Sequence, residues 1–241
     1  MNITIMTFNI HHGKGSDKRL DLERIAQVIA ESDADIVGLN EVDQHFSKRS
    51  HYEDQIGWLA SQLKMHHAFS PSLSLSTGPS TPKRRYGNAL LTRFPIVQQQ
   101  HHLFNLIAGL IEGRSLLEAD VEIGGRILRI FVTHLSLNPF LHRKQTDFLL
   151  QRIRKREQPA VVMGDFNMKP HSRDWNKITG ELRDVWKEAG DGQGSTYPSH
   201  RPNKRLDYLF ISPSLHVSAA EVAANDPAAS DHLPLLGRLD I

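Results

Sequence analysis

The 241-residue chain has no cysteine. That absence removes disulfide staples, thiolate nucleophiles and Cys-based zinc or iron–sulfur sites, so a bound metal has to be held by oxygen or imidazole. Long apolar runs are missing too, with nothing near the roughly 20 residues that a membrane-spanning helix needs. The N-terminal MNITIMTFNI lacks a basic leading segment, a long apolar stretch and a small-residue cleavage site. No secretory signal is read there, and a cytoplasmic location is the expectation. Charge of one sign is scarce: the formal net charge is +2. That balance does not call for a polyanionic partner, and it leaves nucleic acid open.

What remains is the composition of a soluble globular protein, 39% hydrophobic and 23% charged, long enough for one large domain spanning residues 1–241. No repeat or linker divides it, and a monomer is expected. Residues 3–10 alternate and are rich in β-branched side chains, which predicts a strand. Residues 20–31 carry Leu22, Ile25, Ala26 and Ile29 on one helical face behind Asp21 as N-cap. A second helix carries Ile56, Leu59, Ala60 and Leu63. Further strands are predicted at 35–42, 87–94, 159–166, 205–212 and 233–240, and a helix at about 140–155. Residues 115–123 and 126–134 are strand-like runs separated by Gly124 and Gly125, the spacing of a tight hairpin. The Ser- and Pro-rich stretch 70–83 reads as a loop. Helices alternating with strands in both parallel and hairpin settings predict an α/β fold, with a mixed sheet or a two-sheet sandwich. Arg152, Arg154, Lys155 and Arg156 read as a solvated helix end, and Lys83, Arg84 and Arg85 as a short basic cluster before a strand.

Most of the chain's oxygen and imidazole chemistry falls at the tips of these strands. In GDFN, Asp165 and Asn167 emerge on the same side at the end of an apolar run, where a carboxylate can orient or deprotonate water and an amide can donate to a phosphate oxygen. Glu41 in LNEV ends a buried strand, where a carboxylate is costly unless paired or bound to a cation. His134 follows the strand IFVT as a candidate acid or phosphate donor. In SDHLPL, Asp231 can supply a metal oxygen and His232 a general base, with Asp207 of RLDYLF fixing its tautomer. Each side chain alone also fits an Asx turn, a cap or an ion pair. The histidine pairs at 11 and 12, 66 and 67, and 101 and 102 read as surface, His11 and His12 excepted because they follow Asn9.

TFNI, LNEVD, EGR, THLSLN, GDFN, RLDYLF and SDHLPL, in this order across 7–235, resemble the endonuclease/exonuclease/phosphatase superfamily. The resemblance implies a four-layer α/β/β/α sandwich, two packed mixed sheets with helices outside, and hydrolysis of phosphate esters with Mg2+ or Mn2+. It also implies Glu41 as principal metal ligand with Asn9 beside it and Asp231 as a further contact. Asp165 and Asn167 would position water and stabilise the transition state, His134, Asp207 and His232 would be catalytic, and Arg114 and Asn138 would hold the substrate phosphate. Abasic-site endonucleases of that superfamily carry an acidic residue where this chain has His11 and a tyrosine where it has His134, which argues against abasic-site repair. The expected substrate is a small or lipid-headgroup phosphodiester. A nuclease is the alternative, and a phosphomonoesterase or a non-catalytic binding protein stands behind it. Sequence leaves open whether Asp165 or the Asp207–His232 pair accepts the water proton. The apolar run 104–111 admits a transient contact with a membrane surface.

Overall fold

A computed structural model describes residues 1–76, 78, 81–104, 113–155 and 157–241. The strands in chain order are β1 (Asn2–Asn9), β2 (Ile36–Gln44), β3 (His66–Leu75), β4 (Arg84–Thr92), β5 (Ile96–Leu103), β6 (Ser115–Ile123), β7 (Arg126–His134), β8 (Ala160–Asp165), β9 (Arg183–Asp184), β10 (Asp207–Ile211), β11 (His216–Val222) and β12 (Leu235–Asp240). The helices are α1 (Leu22–Glu31), α2 (Gln55–Leu63), α3 (Pro139–Ile153), α4 (Arg173–Thr179) and α5 (Val185–Ala189). The strands form two six-stranded sheets, ordered β11-β12-β1-β2-β4-β3 and β5-β6-β7-β8-β10-β9.

Three apolar layers explain the sandwich. Between the sheets, Ile3, Ile5, Ile36 and Leu90 meet Leu117, Ile130, Val161 and Leu209. The outer face of the first sheet buries Phe8, Val37 and Leu39 against Ile25 and Ile29 of α1 and Ile56 and Leu59 of α2. The outer face of the second buries Phe131, Val162 and Phe210 against Leu149 and Leu150 of α3 and Trp175 and Ile178 of α4. Because alternate side chains of a strand face opposite ways, strands apolar on both faces belong at the centre of such a stack.

Each sheet contains one parallel pair, β1 with β2 and β7 with β8. Parallel neighbours need a crossover, which α1 and α3 supply. Asp21 caps α1 by accepting from the Arg24 amide, as the sequence predicts. Gly124 and Gly125 take φ of 56° and 78°, the left-handed pair of the expected hairpin turn. Gly164 is fixed by proximity, since a Cβ there would lie 1.8 Å from the Thr133 carbonyl oxygen of the adjoining strand.

The stretch 70–83 is not all loop. β3 runs through Leu75, with Pro71 at a register shift of an edge strand, the position a sheet tolerates for proline. β4 begins at Arg84, so Arg84 and Arg85 lie within the strand. The helix end at 152–155 is less solvated than its composition suggests, because Arg152 donates to Glu118 at 2.8 Å; Arg156 lies outside the described residues. Of the run 104–111, Phe104 is buried and the rest lies outside the described residues. Among the described residues no helix is long and apolar enough to cross a membrane.

The sheets are also joined by polar groups. Asn40 of β2 donates to the Thr133 carbonyl of β7 at 3.0 Å and to Asn88 Oδ1 at 2.8 Å, and its Oδ1 accepts from the Asp165 amide of β8 at 2.8 Å. Asn88 of β4 then donates to the Ser115 carbonyl of β6 at 2.9 Å. Replacing Asn40 by leucine would leave buried partners in both sheets unsatisfied, each costing about 1–3 kcal/mol. The expected loss in urea unfolding is about 3 kcal/mol or more; a loss under about 1 kcal/mol would contradict the clamp.

Candidate active site

The parallel pairs end together. Their registers set Asn9 opposite Asn40 in the first sheet and His134 opposite Asp165 in the second, while antiparallel β10 sets Asp207 opposite Asp165. Asn9, Glu41, His134, Asp165, Asp207 and, from the β11–β12 connection, His232 therefore converge on one end of the sandwich.

Asn9 ties the sheets across this end. Its Nδ2 lies 3.2 Å from both Glu41 Oε1 and Asp165 Oδ2, and its Oδ1 accepts from the His11 amide at 3.1 Å. Glu41 sits at a bulge of β2, where the register shifts between Leu39 and Val42, with φ of 60°. A left-handed conformation in a side-chain-bearing residue costs energy and is kept where a side chain has to be re-aimed. The Glu41 side chain is partly exposed, whereas Asn9, His134, Asp165, Asp207 and His232 are buried.

Asp207 Oδ2 accepts from Thr196 Oγ1 at 2.6 Å and pairs with His232 Nδ1 at 2.8 Å. The other face of His232 points its Nε2 toward Asp165 Oδ2 at 3.8 Å. Burial disfavours the charged imidazole, yet Asp207, Asp165 and Asp231 outweigh it and push the pKa of His232 up to about 10. Burial and the Asp207 carboxylate push Asp165 up to about 7, against opposing pulls from His232, the Asn167 amide and Asn9. His134 is held neutral, well below the usual imidazole range, by burial and by the Arg114 and His232 charges. Arg114 Nη1 approaches His134 Nδ1 at 3.1 Å, while Asn167 Nδ2 stands 3.0 Å from His134 Nε2 and donates to the Leu135 carbonyl at 3.0 Å.

Two sequence candidates lie outside these hydrogen bonds. Asn138 caps α3, its Oδ1 accepting from the Phe140 and Leu141 amides. Asp231 faces His11 Nδ1 at 3.7 Å and acts on His232 through its charge. Three contributors lie outside the sequence candidates: Asn40, Thr196, and Ser230, whose hydroxyl donates to the Asn9 carbonyl at 2.7 Å. Asn40 had a signal, an amide inside the apolar run DIVGLNEV.

Among the described residues, two groups of ligand-type side chains have their atoms within 4.8 Å of one another: His11, His12 and Glu41, and Asp165, Asp207 and His232. The second compensates itself, an imidazolium between carboxylates. The first has one carboxylate and two imidazoles whose Nδ1 atoms are buried without hydrogen-bond partners, and this donor set suits a divalent cation.

In the metal-free protein Asp165 binds its proton more tightly folded than unfolded, so stability falls as pH rises from about 4 through about 7. Asp165→Asn is expected to be more stable than the parent at pH 8, on the order of 2 kcal/mol, and to flatten that slope. Equal pH dependence of the two denaturation midpoints would contradict the assignment.

The chain is similar to known proteins in sequence and in fold. A family model described as the endonuclease/exonuclease/phosphatase family matches residues 6–232. The uncharacterized protein YbhP of Escherichia coli K12 is 24% identical, over 98% of this chain and 96% of that protein. A crystal structure of an endonuclease/exonuclease/phosphatase from Beutenbergia cavernae superposes with a TM-score of 0.86 at 26% identity, covering 100% of this chain and 72% of that one. A mannosyl-6-phosphatase of Bacteroides thetaiotaomicron superposes at 0.80 with 18% identity, over 99% and 100% of the two chains, and shares the fold. The chain belongs to the endonuclease/exonuclease/phosphatase family, a family of phosphate-ester hydrolases.

Proposed function

We propose that this protein is a divalent-metal-dependent phosphodiesterase acting on a compact phosphate diester, such as a small-molecule or lipid-headgroup ester. The observation that carries this reading is the buried Asp165, Asp207 and His232 group within reach, through Asn9, of the partly exposed carboxylate of Glu41.

In this reading Asp165 and His232 divide the proton work, because their environments push them apart. Asp165, near 7, is matched to accept a proton from water at neutral pH, and His232, near 10, stays cationic beside it. The structure's electrostatics thereby favour Asp165 as base and give the Asp207–His232 pair the task of holding positive charge against phosphate oxygens. His134, kept neutral and held by Asn167, presents a hydrogen bond rather than a charge, and Arg114 brings a permanent cation to the same edge. Glu41 would hold Mg2+ or Mn2+, whose bound charge offsets charge on the ester oxygens. Asn138 and Asp231 enter as outer contacts, the first at the phosphate and the second at the metal.

A compact substrate is favoured over nucleic acid by where the cations lie. A cleft of about 780 Å3 between the segments following β8 and preceding β10 is lined by Lys169, Lys187 and Lys204 with Trp175 and Trp186, while Arg205 at its wall is paired with buried Asp184. Tyr208 joins those segments, donating to the Met168 and Arg205 carbonyls. The other basic cluster is committed locally: Arg84 bonds the Phe46 carbonyl and faces Tyr52, and Arg85 donates to Gln44. A gathered cleft suits one further anionic group, whereas a nuclease wants a continuous track. Exposed Leu137 and Phe140 beside the Asn138 cap support transient contact with a lipid surface.

With Mg2+ or Mn2+, bis(p-nitrophenyl) phosphate is expected to be cleaved at least tenfold faster than p-nitrophenyl phosphate. Activity should vanish in EDTA and in Glu41→Ala, whose circular dichroism stays that of the parent. Wild-type turnover in that variant removes the metal assignment; preferential monoester cleavage replaces the diester reading with a phosphatase.

The pH profile of kcat/KM should rise through about 7, as Asp165 loses its proton, and fall through about 10, as His232 loses its own. The alkaline limb moves down in Asp207→Asn, which removes the carboxylate that raises His232. An unmoved limb in that variant would detach His232 from the profile.

A further inference from the structure

We infer that His11 and His12 are direct ligands of the metal held by Glu41, making the site a two-imidazole, one-carboxylate centre that selects an imidazole-accepting divalent ion such as Mn2+, Co2+ or Zn2+ over Mg2+. The inference rests on the metal-dependent reading of the site and specifies its ligands. The resemblance on its own implies oxygen donors, Asn9 and Asp231, around Glu41, and the hydrogen bonds of Asn9 give its side chain other work. Asn9 Oδ1 is taken by the His11 amide and its Nδ2 faces Glu41 and Asp165, so the side of Asn9 turned to the carboxylates is a donor that repels a cation. Asp231 Oδ1 lies beside His11, 3.7 Å from its Nδ1.

The imidazoles occupy the place those oxygens leave. His11, His12 and Glu41 have ligand atoms within 4.8 Å of one another, and two ligands of one ion stand at most about 4.2 Å apart, twice a metal–nitrogen bond of about 2.1 Å. Small side-chain rotations close that gap. His12 is 7% exposed, and its Nδ1 is buried with no hydrogen-bond partner, a cost that a ligand bond removes. Its main chain is held in place, since the His12 carbonyl accepts from Gln55 Nε2 at 2.7 Å. At 3.7 Å the Asp231 carboxylate makes a charge contact with His11 Nδ1 and no hydrogen bond, so that nitrogen is without a hydrogen-bond partner. Imidazole nitrogens favour the first-row transition ions and Zn2+, whereas Mg2+ prefers oxygen.

The test uses Co2+ added to the metal-free full-length protein. Binding is followed by visible absorption and by the hyperfine-shifted imidazole N–H protons of the unmutated protein, and Mg2+ is added as competitor. Two shifted imidazole protons are expected, with Co2+ affinity at least tenfold above that for Mg2+. His11→Asn and His12→Gln should each weaken Co2+ at least tenfold and narrow its preference over Mg2+. Co2+ binding lost in Glu41→Ala, but unchanged in both folded histidine variants and without shifted imidazole protons, would overturn the inference while leaving the metal-dependent reading intact. Absence of Co2+ and Mg2+ binding to the parent would overturn both.

Discussion

The side-chain amide of Asn40 reaches from the first sheet to backbone groups of two strands in the second, and the registry of everything at that end depends on it. Elsewhere the interface is apolar and sets distance without setting position. At this end the contact is polar, and each hydrogen bond has a length and a direction. A slide of the sheets by one residue pair would break the bonds to Thr133 and Asp165 together. It would also separate Asn9 from Asp165, a further link across the seam beside that of Asn88 to Ser115. The clamp therefore makes two independently paired sheets into one site, which has to be accurate to a fraction of an ångström to be of use.

Placement at the carboxyl ends of the two parallel pairs follows from chain connectivity. A parallel pair leaves its loops free at that end, while its helix crosses the outer face. β1 and β2 deliver Asn9 and Asn40, and β7 and β8 deliver His134 and Asp165, so each sheet brings its own pair of polar tips. The result concentrates buried charge. Asp165, Asp207 and His232 cannot all be ionised without opposing costs, and raised pKa values at both Asp165 and His232 are the outcome. The fold supports these strained states with its apolar layers, and the left-handed backbone of Glu41 adds to the load.

Much of this is legible in the sequence alone. Strand ends carrying Asn9, Glu41, His134 and Asp165 break their own hydrophobic pattern, and local chemistry marks Asp21 and the Gly124–Gly125 turn. The Asp207–His232 contact follows from the need of a buried imidazole for a carboxylate. Other features depend on which faces meet, and a one-dimensional pattern carries none of that. Asn40 reads as one more polar residue until the second sheet lies opposite it. Thr196 and Ser230 act from loops without periodicity. β3 hides in a Ser- and Pro-rich stretch because its partner β4, rather than its own composition, makes it a strand. His11 and His12 follow a recognisable motif, yet only the bulge that turns Glu41 toward them makes a group of the three.

The most direct measurement of the central claim is an anomalous difference map from a crystal of the protein soaked in Mn2+. The account requires the strongest peak within bonding distance, about 2.2 Å, of the Glu41 carboxylate, with Asp165 and His232 beside the ion and outside its bonds. A strongest peak away from Glu41, or one bonded within the Asp165, Asp207 and His232 group in place of it, would contradict the account.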